Sequence, residues 1–323
     1  MSTEQPPQET PVDAVRTVAV VGTGVIGASW AAHFLARGLD VAATDPADGA
    51  EQRLRAAVDQ HWPTLQAMGL APGAARERLR FHARLEDAVA QADFVQENGP
   101  EREDLKRALY ARMDASAPQH TLLASSSSGL AVSAMQSDCR HPERVVLGHP
   151  FNPPHLIPLV EVGGGAQTAP EAVARAMDFY TAVGKKPIHL RREIRGHIAN
   201  RLQAALWREA FHLVDAGVAS VADIDAAIAH GPGLRWALLG PFLNLHLSGG
   251  AGGIAHVLEH LGGPIESWWQ DLGQPTMNAA LQAKVVAGVD QALAGRSTAE
   301  LQRTRDRQLL DLLAAKAARH TPE

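Results

Sequence analysis

Residues 16–27, RTVAVVGTGVIG, constrain this chain more than any other stretch. The continuous apolar run reads as a strand buried on both faces, and it opens directly into Gly22-Thr23-Gly24-Val25-Ile26-Gly27. Ala28 to Arg37 then has helical composition and stops at Gly38. Asp40 to Thr44 reads as a second strand ending at Asp45, 18 residues after the last glycine. Glycines at this spacing let the backbone turn tightly and approach a pyrophosphate, whose charge rests on the helix N-terminus. The acid accepts hydrogen bonds from the adenosine ribose. Gly22, Gly24, Val25, Ile26, Gly27 and Asp45 are therefore the expected dinucleotide contacts. A carboxylate at 45 with no arginine directly after it favours NAD over NADP.

Strand and helix patterns keep alternating as far as about Arg192, which predicts a doubly wound α/β domain of the Rossmann type. Between Gly49 and Leu79 two helical patterns joined by MGLAPG read as an inserted helical hairpin. Further strands are expected at Asp93 to Glu97, Thr121 to Ala124 and Val145 to Gly148, the second ending in Ser125-Ser126-Ser127-Ser128-Gly129. Such a serine cluster is by default a flexible turn, but ligands of open parallel sheets collect at these strand ends. From Arg195 onward the pattern is helical, with Ile198, Leu202, Leu206, Ala210 and Leu213 at helical spacing. The expected division is a polar tail at 1–14, a nucleotide domain at 15–193 and an all-helical domain at 194–323 that caps the substrate and forms a homodimer.

Composition narrows the classes of function. With 30 basic and 35 acidic side chains and a net charge of -5, nothing points to nucleic acid or an anionic membrane. Cys139 stands alone, so an internal disulfide, a CxxC pair and a cysteine-based zinc site are excluded. The first residues have neither a basic nor an apolar segment of a signal peptide, and no apolar run approaches the roughly 20 residues of a membrane helix. A soluble cytoplasmic protein is expected. His33, His61, His82, His230 and His246 read as surface or packing residues without HExxH spacing, so no metal is expected.

In VVLGHPFNPPHLIPLVEV (145–162), His149 ends one apolar strand and Glu161 lies inside the next. A buried carboxylate needs a partner, and His149 across the turn is the candidate. An edge strand with Glu161 facing solvent is equally open from these residues alone.

VGTGVIGASWA, DFVQENGPEREDLK, LLASSSSGL, GHPFNPP followed by PLVEV, and HIANRL together resemble the L-3-hydroxyacyl-CoA dehydrogenase family across nearly the whole chain from Val15. The resemblance implies an NAD-dependent dehydrogenase of a small L-3-hydroxy acid. It makes His149 the catalytic base and Glu161 its partner, places Ser128 and Asn200 around the substrate oxygen, and sets Glu101 and Lys106 beside the nicotinamide ribose. Ser126 stands where acyl-CoA enzymes of the family commonly have asparagine, and Pro150 follows the histidine. These departures, with GPGLRWALLGPF at 231–242, are more similar to the carnitine dehydrogenase branch. Residues 45–70 contain no lysine and only Arg53 and Arg55, a poor match to the phosphates of a CoA ester. Short acyl-CoA substrates, L-gulonate (the branch that includes the lambda-crystallins) and a non-catalytic NAD-binding protein remain alternatives. For a trimethylammonium substrate Trp236, Trp268 and Trp269 are candidate cation-π partners, with Phe151 near the histidine, although tryptophans in helices more often pack in cores or dimer seams.

Overall fold

The computed structural model describes residues 15–318, so the tail expected at 1–14 lies outside the described residues. The chain divides into two compact units between Asn200 and Arg201. In the first, β1 (Thr17–Val21), β2 (Asp40–Thr44), β3 (Leu79–Phe81), β4 (Phe94–Glu97), β5 (Leu122–Ser125), β6 (Val145–Pro150), β7 (Leu159–Gly164) and β8 (Lys186–Leu190) form one sheet. Its order is β3-β2-β1-β4-β5-β6-β7-β8. Every neighbouring pair is parallel except β6 and β7. The direction of winding reverses between β1 and β4, the switch point beyond which doubly wound sheets bind their ligands.

Helices α1 (Val25–Ala36), α2 (Ala50–Met68), α3 (Leu85–Val89), α4 (Glu103–Ser116), α5 (Val132–Met135) and α6 (Pro170–Ala182) connect these strands. Alternate residues of β1 enter different cores. Val18 and Val20 join Trp30 and Phe34 of α1 and Phe179 and Tyr180 of α6. Ala19 and Val21 join Tyr110 and Met113 of α4 and Met135 of α5. Because both faces of the strand are covered, its sequence is apolar without a break.

The hairpin expected between Gly49 and Leu79 is corrected to one helix. Leu54, Val58, Trp62 and Leu65 of α2 are buried, and α2 packs on α1. Beyond α2 the chain makes a turn and then a single 3-10 turn at Arg76–Arg78. Gly69 (φ +94°) ends α2, and after Pro72-Gly73 too few residues precede β3 to nucleate another helix.

The chain passes to the second unit in α7 (Ala199–Asp215) and continues through α8 (Val221–His230), α9 (Pro232–Ser248), α10 (Gly253–Asp271), α11 (Ala279–Leu293) and α12 (Thr298–Ala318). The helical pattern seen from Arg195 begins only at Ala199, because Gly196 (φ +77°) and His197 (φ +51°) are left-handed. α8 packs against α9 and α11, and α9 against α10. Gly240 and Pro241 kink α9, and the Asn244 amide donates to the carbonyls of Arg235 and Gly240. Among the described residues of this unit only Val257 and Leu281 are buried apolar side chains. Leu238, Phe242, Leu247, Trp268 and Trp269 are each more than half exposed. No helix of the described residues is long and apolar enough to cross a membrane.

Candidate active site

At the end of β1 the backbone turns through Gly22 (φ +85°), whose N–H donates to the Thr44 carbonyl at 2.9 Å. A Cβ at Gly22 would lie 2.8 Å from the Asn98 oxygen, and one at Gly27 only 1.9 Å from the Gly22 oxygen. Close packing of strand, turn and helix therefore excludes side chains at both positions. Around Gly24, by contrast, a Cβ would meet nothing within 4 Å, and no side chain caps α1. The first N–H groups of α1, at Val25, Ile26 and Gly27, thus face an open space suited to an anion. Asp45 is oriented by Thr23, whose N–H and hydroxyl donate to Oδ2 at 2.7 and 3.3 Å, and by the Ala47 N–H at 2.9 Å from Oδ1. A pyrophosphate at the helix start and a ribose hydroxyl on Asp45 fit this donor and acceptor set.

Three of the four serines after β5 are spent on the scaffold. Ser125 donates to Glu97 Oε2 at 3.0 Å, Ser126 to Asn98 Oδ1 at 2.7 Å and Ser127 to Glu101 Oε1 at 2.6 Å. Ser128 is exposed and makes no hydrogen bond with the described residues. Glu101 Oε1 also accepts from the Gly129 and Leu130 N–H groups, so this carboxylate holds the serine loop. Lys106 is buried against Glu97, at 2.7 and 2.8 Å from its two oxygens, and Tyr110 donates to the same carboxylate. Its ammonium is directed into the protein rather than toward solvent.

The antiparallel pairing of β6 with β7 places His149 and Glu161 directly opposite each other. Their Nδ1 and Oε2 are 2.8 Å apart, and both side chains are buried. Glu161 Oε1 accepts from the N–H groups of Ile198 and Ala199 at 2.8 and 2.9 Å. Burial pushes the Glu161 pKa up, but the hydrogen bonds from His149, Ala199 and Ile198 outweigh it and hold the carboxyl below its ordinary value. An ionised carboxylate accepts from Nδ1–H, so the neutral tautomer that this contact selects has its lone pair on Nε2. Phe151 meets the His149 ring edge-on, with centroids 5.4 Å apart. The loop between β6 and β7 is pinned by Ser29, bonded to His155 Nδ1 at 2.8 Å, and by Lys185, which donates to the Pro154 carbonyl. Burial, aided by the charge of Arg37, pulls the Lys185 pKa down to about 7.

Residues 17–194 match the NAD binding domain of 3-hydroxyacyl-CoA dehydrogenase, and residues 196–288 match the C-terminal domain of the same enzymes. The chain belongs to the 3-hydroxyacyl-CoA dehydrogenase family. As a member of that family it is an NAD-dependent dehydrogenase. An L-carnitine dehydrogenase of Streptomyces griseus is 54% identical over 314 residues, 97% of this chain and 94% of its own length. One of Pseudomonas aeruginosa is 51% identical over 94% of this chain and 95% of its own. Among solved structures, 5-formyl-3-hydroxy-2-methylpyridine 4-carboxylic acid 5-dehydrogenase, an NAD+-dependent dismutase, aligns with a TM-score of 0.82 at 31% identity, covering 94% of this chain and 99% of that one. The 3-hydroxybutyryl-CoA dehydrogenase of Escherichia coli aligns with a TM-score of 0.64 at 29% identity, covering 85% of this chain and 57% of that one.

In this family member the first unit carries His149, Glu161, Phe151, Ser128, Glu101, Lys106 and the glycine turn, and Asn200 is its last residue, half-buried in the first turn of α7. Trp236 lies on α9, and Trp268 and Trp269 on α10, all exposed residues of the second unit. His197 is a site residue that sequence reasoning passed over. It is buried, its ring centroid is 5.2 Å from that of His149, and its Nε2 donates to the Ser127 carbonyl at 2.9 Å. Its Nδ1 is buried with no hydrogen-bond partner among the described residues. Burial holds the His197 pKa below its ordinary value, against the opposing effect of the Ser127 carbonyl, so the ring beside His149 is neutral near pH 7.

Proposed function

We propose that the chain oxidises the 3-hydroxyl of L-carnitine to 3-dehydrocarnitine with NAD. The observation that carries this reading is the buried His149-Glu161 pair, in which Glu161 is held by two backbone N–H groups and engages His149 Nδ1, leaving Nε2 of that ring without a hydrogen bond among the described residues. Bound NAD supplies the hydride acceptor. His149 Nε2 takes the hydroxyl proton, and Glu161 fixes the ring and offsets the charge that develops on it. Ser128, with its unengaged hydroxyl, and Asn200 hold the substrate oxygen. L-Carnitine is preferred because it is the substrate named for the relatives that match almost the entire chain. The surface of α2 supports this choice. Its Arg53 donates to the Asp48 carbonyl and its Arg55 is paired with Glu51, so the phosphates of a CoA ester would have to displace a partner at each, and no lysine adds to them.

The exposed apolar residues of α9 and α10 support a homodimer formed through the helical unit. A reaction that draws on dissociable NAD is placed in the cytoplasm, where that cofactor is recycled. The test is NAD reduction with L-carnitine, L-gulonate and 3-hydroxybutyryl-CoA in parallel. Turnover with L-carnitine is expected, and His149→Ala is expected to lower kcat by about 10²- to 10⁴-fold while NADH still binds. Turnover with the CoA ester and none with L-carnitine would overturn the substrate. Near wild-type turnover by the variant would overturn the base.

A further inference from the structure

We propose that α10 carries a chelate for a divalent transition-metal ion, made by His256, Glu259 and His260. The sequence H-V-L-E-H puts the three residues at i, i+3 and i+4, one above another on a single helix face. This order, H-x-x-E-H, is the reverse of the H-E-x-x-H helix found in zinc enzymes. The histidines weighed above for metal spacing did not include these two. One ligand atom from each residue lies within 4.8 Å of the other two, and the imidazole centroids are 4.0 Å apart. All three residues are exposed, so short rotamer changes suffice to bring the ligand atoms onto one ion.

One geometric detail favours a ligand here over three unrelated surface side chains. The Nδ1–H of His260 donates to the His256 carbonyl at 2.9 Å. That bond fixes the tautomer and leaves Nε2 as the lone pair, the arrangement by which metal-binding histidines are usually oriented. Glu259 has no ion-pair partner among the described residues, so its carboxylate is available to a cation.

Two imidazole nitrogens and one carboxylate oxygen are the ligand set of zinc sites with an open fourth position. Magnesium and calcium prefer all-oxygen sets and are disfavoured. The proposal rests on none of the roles assigned to residues of the first unit.

The full chain, prepared without a polyhistidine tag and stripped of metal, is titrated with Zn²⁺ against a chromophoric chelator and melted with and without Zn²⁺. One strongly held Zn²⁺ per chain and a rise in Tm are expected. His256→Gln and His260→Gln should each weaken binding about tenfold or more and abolish the Tm rise, while metal-free melts match the wild type because both side chains are exposed. The proposal is overturned if the wild type takes up no Zn²⁺ at micromolar concentration. It is equally overturned if both variants bind with wild-type affinity, which would place the metal on other histidines.

Discussion

At the residue scale the site is a set of neighbouring groups whose protonation states are held apart. Glu161, with its pKa below the ordinary carboxylate value, stabilises the fold fully above that value, about 4.3, and loses the contribution as pH falls through its lower folded value. His197 is a base with a depressed pKa. The folded state therefore binds fewer protons than the unfolded one below about pH 6.5, and stability falls as pH drops through that range. Thermal melts from pH 7 down to about 2 should decline in two segments, with Glu161→Gln flattening the lower, below about pH 4.3, and His197→Asn the upper, below about pH 6.5. An unchanged profile in either variant would refute the corresponding assignment. His197→Ala leaves the Ser127 carbonyl without its donor and is expected to cost about 1–3 kcal/mol in chemical denaturation. His197→Asn, which tolerates a left-handed backbone, should cost less. The acid between Val160 and Val162 pointed to a partner but left a solvent-facing strand equally open, and it was the resemblance to the family that singled out His149. His197 was not legible, because a histidine inside a helical pattern gives no sign of a φ of +51° or of a ring folded against another strand end.

At the scale of elements, β1, α1 and β2 were legible because the glycine spacing, the unbroken apolar run and the terminal acid reinforce one another. β3 was hidden in three residues, one of them Arg80, too few to show a period. The false second arm of the hairpin arose because composition alone cannot distinguish a helix from a turn of helix-forming residues. Gly27→Ala is expected to abolish NADH binding in a fluorescence titration, since the new methyl meets backbone that cannot move aside. Gly148→Ala meets the Tyr180 hydroxyl at 1.9 Å and would displace it from Gln96, whose amide supports both Ser126 and the Gly148 carbonyl. Lys106→Met strands Glu97 as an unpaired buried charge, and a loss of about 3–5 kcal/mol is expected. NADH affinity measured in the same variant separates a structural lysine from one that reaches the cofactor.

For the whole molecule, the change from alternating strands and helices to helices alone shows in composition, and the chain divides into two compact units between Asn200 and Arg201. What the helical unit covers was less plain, because the same apolar stripe serves a core or a partner. Only Val257 and Leu281 are buried apolar side chains among its described residues, and the homodimer proposed above predicts that Phe242→Glu with Leu247→Glu halves the mass measured by light scattering. An unchanged mass would exclude that face from the interface. The division falls one residue after Ala199, whose N–H, with that of Ile198, rests on the same carboxylate that holds His149. These two amides form a built-in gauge. Their nuclear magnetic resonance shifts should follow the charge on Glu161 through a titration, and their protection from hydrogen exchange should fall in Glu161→Ala, which removes the acceptor, so the state of this carboxylate can be read without any substrate turning over.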